Sequence, residues 1–189
     1  MRTKFFTGAG DAGKSKIGKL EISKADFLFE VLGALDELNS WLGFCRVEAG
    51  EQVYKKINKN LNIAAVLKEI QEILFIVQAG IAAIGFNFPV NKKISPQKTA
   101  FLENTIKKID RELPPLKKFV VPGGSEISAR LDVARALSRR VERQIVIFNR
   151  KKKVSPETLK FLNRLSSALF ALARYVNYKA AVREENPGY

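Results

Sequence analysis

A glycine-rich stretch near the start of the chain has the residue types that bind phosphate. It contains three glycines, two lysines, an aspartate and two hydroxyl side chains, in the order Thr7, Gly8, Ala9, Gly10, Asp11, Ala12, Gly13, Lys14, Ser15, Lys16. Backbone N–H groups that no side chain shields can close around phosphate oxygens, and a lysine can neutralise their charge. The stretch therefore predicts a polyphosphate-binding loop, with a flexible loop that binds nothing as the alternative.

Residues 8–15 also match the P-loop pattern G-x-x-x-x-G-K-[ST]. That pattern binds nucleotide phosphates where it joins a buried strand to the helix that follows it. Residues 1–5 are too few for such a strand, and Gly18 stands where the helix would run. We therefore favour a phosphate-binding loop of another kind.

A group of arginines recurs at helical spacing later in the chain. Arg135, Arg139 and Glu142 stand at positions i, i+4 and i+7, on one flank of a helix. Asp132 and Glu142 alternate with the arginines, so we expect an ion-pair network that fixes their side chains. A face that is simply solvated is the alternative. The glycine-rich segment 122–125 before the helix favours a site, whose cationic face is widened by Arg140 and Arg143.

The last helical segment carries a line of mostly polar residues between apolar faces: Asn163, Ser167, Phe170, Arg174 and Asn177. A buried amide without a partner costs on the order of 1–3 kcal/mol, so these side chains should have partners. A position at the rim of the helix end would explain Asn177 without any function. Asn163 is harder to explain in that way.

Apolar periodicity and capping residues predict five helices. The first is expected over about 24–49 after the capping box Ser23 and Asp26, and the second over about 61–86 after Asn60 or Asn62. The others start at Ser95-Pro96, Ser125 and Ser155-Pro156, and end before Pro114-Pro115, near Asn149 and near Arg183. Strands are limited to short pieces near 4–7 and 17–22. The predicted fold is an all-α five-helix bundle with an N-terminal phosphate-binding loop.

Size and composition narrow the class of protein. With 189 residues and no linker, we expect one domain, formed by a segment 1–22, a helical bundle 23–183 and a polar tail 184–189 that frays. The net charge of +14 indicates an anionic partner, which could be nucleic acid, a membrane surface or a polyphosphate. The chain has no histidine, which excludes imidazole acid–base chemistry, and its single cysteine, Cys45, should be a buried thiol.

We expect a soluble, cytoplasmic protein. No apolar segment precedes the polar loop at Thr7, so nothing resembles a signal peptide. The uncharged run that begins at Ile73 is interrupted by Gln78 and Asn87 and falls short of a membrane span.

Four blocks, in order along nearly the whole chain, resemble the signature of the PduO-type ATP:cob(I)alamin adenosyltransferase family. The first consists of Thr7-x-x-Gly10-Asp11-x-Gly13-x-Ser15, Lys24 and Glu30-x-x-Gly33-x-x-Asp36-Glu37-Leu38-Asn39-Ser40. The second and third are Phe119-Val120-x-Pro122-Gly123-Gly124 and Ala134-Arg135-x-x-x-Arg139-Arg140-x-Glu142-Arg143. The fourth is Leu162-Asn163-Arg164-Leu165-Ser166, continued by Leu169-Phe170 and Ala173-Arg174-Tyr175-x-Asn177.

The resemblance implies transfer of the 5′-deoxyadenosyl group from ATP to the cobalt of cob(I)alamin, with release of triphosphate. Co(I) is itself the nucleophile, so no protein base is needed and the lack of histidine is no obstacle. Such an enzyme must stabilise the leaving triphosphate, hold C5′ in line with cobalt, and keep water and a lower axial ligand away.

The resemblance also assigns roles to residues. The triphosphate, with Mg²⁺ but no direct protein ligand to the metal, would be held by Thr7, Gly8, Ala9, Gly10, Asp11, Gly13, Lys14, Ser15, Lys16 and Lys24. ATP would be oriented by Arg139, Arg140, Glu142, Arg143 and Asn163, with Arg139 stabilising the leaving group. Arg135 would pair with Asp36 of a neighbouring subunit in a homotrimer whose sites lie between chains. Phe119 would close the cobalamin pocket, exclude the lower ligand and so act in catalysis, with Phe170 as a second wall.

Some positions depart from the family pattern. The family commonly has lysine at the positions of Gly8 and Ala12 and aspartate at the position of Ser167; Lys14 and Lys16 could supply the missing charge. Two other functions compete with the enzyme: a non-catalytic homologue that binds ATP or cobalamin, and a basic nucleic-acid-binding bundle. No aromatic platform or recognition motif accompanies the arginines, so we expect neither nucleic acid nor membrane as a partner, whereas a reductase could be one.

Overall fold

The computed structural model describes residues 5–17, 20–50 and 61–189, and in these ranges it shows five helices and one hairpin. The hairpin consists of β1 (Lys14–Ile17) and β2 (Leu20–Ser23), paired antiparallel from Lys14↔Ser23 to Ile17↔Leu20. The helices are α1 (Phe27–Ala49), α2 (Ile63–Gly85), α3 (Pro96–Asp110), α4 (Glu126–Asn149) and α5 (Pro156–Lys179). The predicted helical bundle is therefore confirmed.

The packing order of the helices places α4 and α5 side by side. Helix α1 packs against α2 and α4, α4 packs against α5, and α5 packs against α3. A salt bridge of 2.6 Å between Lys98 and Glu69 joins α3 back to α2. Helix α5 contributes the large, fully buried Phe161 and Tyr175 to the core. The two helices with the polar residues of interest thus share a long interface.

Local capping explains where the helices begin. Ser125 and Ser155 accept hydrogen bonds from the N–H groups of Ser128 and Thr158, as expected of N-caps. Helix α1 starts later than predicted because Asp26, not Ser23, is its cap: Asp26 Oδ1 accepts from Leu28 N at 2.8 Å. Asn62 caps α2, whereas Ser95 makes no side-chain capping bond and α3 relies on Pro96 at its first turn.

The C-terminal end differs from the prediction in two ways. Helix α5 stops at Lys179, well before Arg183, because Ala181 adopts a φ of 55° and the N–H of Val182 bonds back to Asn177 O at 2.9 Å. The start of the tail does not fray, because Glu184 forms a salt bridge with Arg174 at 2.9 Å and Glu185 O accepts from Val121 N at 2.8 Å. For residues 187–189 fraying stays a prediction.

The N-terminal region also differs from the strands that the sequence predicts. The expected strand near 17–22 exists but is longer, a hairpin that spans 14–23, and Phe5, Phe6 and Thr7 form no strand; Lys4 lies outside the described residues. Lys14 begins a strand rather than a helix, so the P-loop interpretation is wrong.

Cys45 is fully buried, as predicted. None of the described helices is long and apolar enough to cross a bilayer.

Candidate functional site

The glycine-rich loop consists of two successive turns closed by a lysine. Asp11 N donates to Gly8 O and Gly13 N donates to Gly10 O, each at 3.2 Å. Gly8 and Gly13 have φ values of 73° and 72°, which other residues adopt only with strain. Lys24 Nζ donates to Gly10 O at 2.8 Å, and a Cβ on Gly10 would lie 2.7 Å from that nitrogen. The loop therefore needs glycine at positions 8 and 13 for its backbone, whereas a side chain at position 10 would displace the Lys24 amine.

The side chains of this loop are available to a ligand. Thr7, Asp11 and Lys16 are exposed, as are Gly8 and Ala9, and Ser15 is half-buried. Lys14 pairs with Glu21 of β2 at 3.4 Å, both largely in solvent, a pair too weak to hold the lysine in place. No hydrogen bond or ion pair joins residues 7–16 to Arg139, Glu142 or Asn163 within the described chain, so the structure does not bring the two parts of the predicted ATP site into contact.

The second part of the site lies where α4 faces α5. Glu142 Oε1 accepts from Asn163 Nδ2 at 3.0 Å, and Asn163 Oδ1 accepts from Arg164 Nη1 at 2.8 Å. Arg139 and Arg143, on the same helix as Glu142, are exposed and have no hydrogen-bond or ion-pair partner among the described residues. A fixed carboxylate–amide pair is thus flanked by two cations that are free to bind an anion.

The predicted ion-pair network on α4 is only partly correct. Arg135 Nε donates to Asp132 Oδ1 at 3.3 Å, as expected. Glu142, however, bonds to Asn163 rather than to an arginine, because α5 packs on this side of α4. Arg140 forms a salt bridge across to Glu37 of α1. Asp36 is exposed and has no partner in the described part of the chain.

The segment between α3 and α4 carries an exposed aromatic side chain. Phe119 is 78% exposed, while Phe170 is half-buried and lines a small cavity beneath residues 120–123. Asn177, 3% exposed, accepts from Ser125 N at 2.9 Å and donates from Nδ2 to Gly123 O at 2.8 Å. Of the polar line on α5, Asn163, Arg174 and Asn177 have partners, whereas Ser167 is exposed and has none among the described residues. Asn177 is explained by the turn it holds rather than by a rim position.

Sequence reasoning missed several contacts around this segment. Gly123 N donates to Asp132 Oδ2 at 3.1 Å, and Asn186 Nδ2 donates to Phe119 O at 2.8 Å. The alternation of charges on α4 predicted the arginine partner of Asp132, but nothing in the sequence indicates a bond to a backbone nine residues away. The spacing of Asn177 indicated a partner without identifying it.

Cys45 and Lys179 have raised pKa values, for different reasons. Burial raises the pKa of the Cys45 thiol to about 12. A hydrogen bond from Lys179 to Glu112, 2.5 Å long, raises the pKa of that lysine. In the part of the chain that the structure describes, no group of three acidic, cysteine or histidine side chains could hold a metal ion.

The chain is similar in sequence to proteins of a known family. The chain matches the model of the cobalamin adenosyltransferase family over residues 5–176. It is 32% identical to the corrinoid adenosyltransferase of Bacillus subtilis (strain 168), over 95% of this chain and 89% of that protein. It is 35% identical to the corrinoid adenosyltransferase MMAB of Homo sapiens, over 97% of this chain and 71% of that one. These matches define a corrinoid adenosyltransferase of the helical-bundle kind.

A solved structure narrows the class further. The fold is similar, with a TM-score of 0.86 and 34% identity, to a variant of the PduO-type ATP:corrinoid adenosyltransferase of Lactobacillus reuteri complexed with cobalamin and ATP. The likeness covers 98% of this chain and 97% of that one. The chain belongs to the cobalamin adenosyltransferase family and is of the PduO type, as the four sequence blocks predicted.

Proposed function

We propose that this protein transfers the 5′-deoxyadenosyl group of ATP to the cobalt of cob(I)alamin, giving adenosylcobalamin and triphosphate. The observation that carries the proposal is the likeness, over nearly the full chain, to an enzyme complexed with both ATP and cobalamin. The free cations of α4 and the exposed aromatic residue before it are groups that this reaction needs.

The reaction joins the two substrates directly. The Co(I) electron pair attacks C5′, a Co–C bond forms as the C5′–O bond breaks, and the electrons of the broken bond leave with triphosphate. No proton changes place, so the protein needs no base. Its tasks are to align C5′ with cobalt and to stabilise the negative charge that grows on the leaving group.

The ATP site combines the glycine-rich loop with the α4–α5 pair. Arg139 and Arg143 are the unpaired cations, and Glu142 with Asn163 presents a fixed polar edge. Arg139 stabilises the leaving triphosphate, since an arginine fork can bridge two phosphate oxygens. Arg140 extends the cationic face. Binding of ATP brings the loop, with Thr7, Gly8, Ala9, Gly10, Asp11, Gly13, Lys14, Ser15, Lys16 and Lys24, onto the phosphates.

Magnesium accompanies the nucleotide in this proposal. Mg²⁺ keeps several waters and favours phosphate oxygens over complete protein cages. We therefore assign the ion to the triphosphate, with no direct protein ligand. Its chemistry would be to neutralise phosphate charge.

The corrin side of the site uses aromatic side chains. Phe119 is exposed on a segment whose backbone is held firmly, so it can cover an apolar ligand without rearrangement of the chain. Phe170 forms part of the wall beneath that segment. We assign to Phe119 the exclusion of water and of a lower axial ligand from cobalt.

The active unit is a homotrimer with its sites between subunits. Asp36 is unpaired in the described chain, and Arg135 has one bond, to Asp132, so the two can pair across an interface. Exposed apolar side chains on the same two helices, Phe44, Val47 and Val133, offer surface to cover. Light scattering should give a trimer at micromolar concentration, and a monomer there would contradict this assembly.

The chemistry of cobalt indicates a partner protein for the reaction. A reductase is the partner that the reaction requires, because cobalt must reach the Co(I) state before it can attack C5′. We place the protein in the cytoplasm, as its sequence predicts, with residues 1–189 acting as one domain.

The test is to mix the protein with ATP and chemically reduced cobalamin in the absence of oxygen. We expect the Co(I) absorption to disappear with ATP and to persist far longer with ADP, since oriented arginines should distinguish triphosphate from diphosphate. Persistence of the Co(I) absorption with bound ATP would indicate a non-catalytic binding protein instead.

A further inference from the structure

A single acidic side chain on α4 contacts two groups with separate roles in the proposed function. Asp132 Oδ2 accepts from Gly123 N at 3.1 Å, and its Oδ1 accepts from Arg135 Nε at 3.3 Å. The Asp132 side chain is only 11% exposed, so little water competes for these bonds. One carboxylate therefore links the segment that carries Phe119 to the arginine of the proposed interface.

The turn that Asp132 holds has a demanding backbone. Gly123 and Gly124 have φ values of 129° and 101°, and a Cβ on Gly124 would lie 2.6 Å from Asn177 Nδ2. Asn177 supports the turn from α5 through Ser125 N and Gly123 O. Asp132 supports it from α4, so the turn is fixed from both helices.

Phe119 depends on such backbone support. Its side chain is 78% exposed, so packing within this chain does not decide where the ring lies. Its segment is restrained through the backbone instead, by the bonds of Phe119 O and Val121 N to the tail and by the turn at 123–125. Loss of the Asp132 bond would leave the turn held by Asn177 alone among the described side chains, and would loosen the end of the segment nearest α4.

Arg135 depends on the same carboxylate. A guanidinium has five N–H donors, and in the described part of the chain Arg135 uses only Nε, on Asp132. Its Nη groups have no partner there and are left for a second carboxylate. Asp132 thus decides where the free end of Arg135 is presented.

We propose that Asp132 is a positioning residue that sets the Phe119 segment and the Nη groups of Arg135 together. The inference rests on the proposed function, because it takes cobalamin as the ligand near Phe119 and a trimer as the assembly. It has a specific consequence: corrin binding and subunit association weaken together when Asp132 is changed, while ATP binding, measured at protein concentrations at which the trimer is assembled, does not.

The test is Asp132→Asn. Gly123 N and Arg135 Nε bond to different oxygens of the carboxylate, and asparagine replaces one of those oxygens with an NH2 group, so one of the two donors would face another donor. We expect the KM for cobalamin and the trimer dissociation constant each to rise roughly tenfold, the size of one lost bond to a charged group, with the KM for ATP within about twofold. Amide hydrogen exchange at Gly123 should become faster.

Two other variants serve as controls for Asp132→Asn. Asp110→Asn makes the same chemical change at an exposed residue at the end of α3, and should alter none of these values. Arg135→Ala should weaken association while leaving Gly123 N protected by Asp132. Unchanged exchange and unchanged constants in Asp132→Asn would overturn the proposal, as would a KM for ATP that rises as much as that for cobalamin. If the wild type fails to adenosylate, the proposed function fails, yet hydrogen exchange and sedimentation still decide the role of Asp132.

Discussion

Two glycine-rich segments of this molecule are held in different ways. The N-terminal loop at 7–13 is closed by its own backbone turns and by Lys24, and most of it is exposed. The turn at 123–125 is held by Asp132 from α4 and by Asn177 from α5. Glycines with positive φ occur in both, so the local backbone is not the difference. The turn is organised by the bundle before any ligand arrives, whereas the loop depends on short-range bonds that a ligand can supplement.

This difference predicts where the effects of substitutions appear. A change in the turn should reduce the stability of the fold, since helix-to-turn bonds are lost with it. A change in the loop should reduce ligand affinity and leave the bundle intact. A change at Arg139, on the exposed face of α4, should affect the rate of the reaction.

Arg139→Ala is expected to have the largest effect. The side chain is exposed and unpaired, so the fold should not change, but kcat should fall by roughly 10²–10³, the cost of losing one preorganised group at a developing negative charge. Arg139→Lys should also be impaired, because lysine lacks the planar fork. Steady-state kinetics with reduced cobalamin measure this. Arg150→Ala, an exposed arginine at the end of the same helix, is the control, and normal turnover by Arg139→Ala would remove the leaving-group role.

Phe119→Ala comes next and separates the corrin side from the ATP side. With the ring 78% exposed, the melting temperature should stay within about one degree. The KM for cobalamin should rise roughly thirtyfold, as for loss of an aromatic anchor, while ATP affinity stays near normal. Phe75→Ala on α2, where the ring is 62% exposed, is the matched control. A change in ATP affinity alone would place Phe119 outside the corrin pocket.

A pair of glycine substitutions, one in the N-terminal loop and one in the turn at 123–125, tests whether the two segments are held in different ways. A Cβ on Gly13 would meet no neighbouring group within 4 Å, but the φ of 72° means that Gly13→Val strains an exposed loop; ATP affinity should fall about tenfold with an unchanged melting temperature. Gly124→Ala combines a φ of 101° with contact at 2.6 Å to Asn177, and should lower the melting temperature by roughly 5–10 °C. Calorimetry and ATP titration of both variants decide the matter. The reverse pattern would mean that the loop, not the turn, is organised by the bundle.

The smallest effect is expected when the native protein is treated with a thiol reagent, whose target is Cys45. It is fully buried and its pKa is raised to about 12, so a thiol reagent at pH 8 should modify it only after denaturant is added. The folded pKa lies above the unfolded value of about 9, so the unfolded thiol ionises first, and the stability contributed by this group falls as pH rises from about 9 to 12. Rapid modification of the native protein at pH 8 would show that the α1 interface opens readily.

Local signals predicted the helices well and their ends less well. Ser125 and Ser155 are caps because a hydroxyl bonds to an N–H three residues on, a property of the local sequence. For α1, Ser23 and Asp26 offered two such signals, and only the structure shows that Asp26 is the cap. The docked start of the tail depends on the bonds of Arg174 and Val121 to residues 184–185. Those contacts follow from the folded bundle and could not be predicted locally.

The candidate site was predictable to a similar extent. Spacing placed Arg135, Arg139 and Glu142 on one flank of α4, and their helix is confirmed. The partner of Glu142 was not predictable from that helix, because Asn163 comes from α5. The two bonds of Asp132 combine a neighbour on its own helix with a distant backbone group. Only the bond to Arg135 has a signal in the sequence.

The most direct measurement is the stoichiometry of the products from ATP and chemically reduced cobalamin. Under anaerobic conditions we expect one triphosphate for each adenosylcobalamin formed, with both absent when the protein is omitted. The triphosphate should remain intact, because the bond that breaks is the one between C5′ and oxygen. Formation of ADP and phosphate, or ATP binding with the Co(I) absorption unchanged, would contradict adenosyl transfer by this protein.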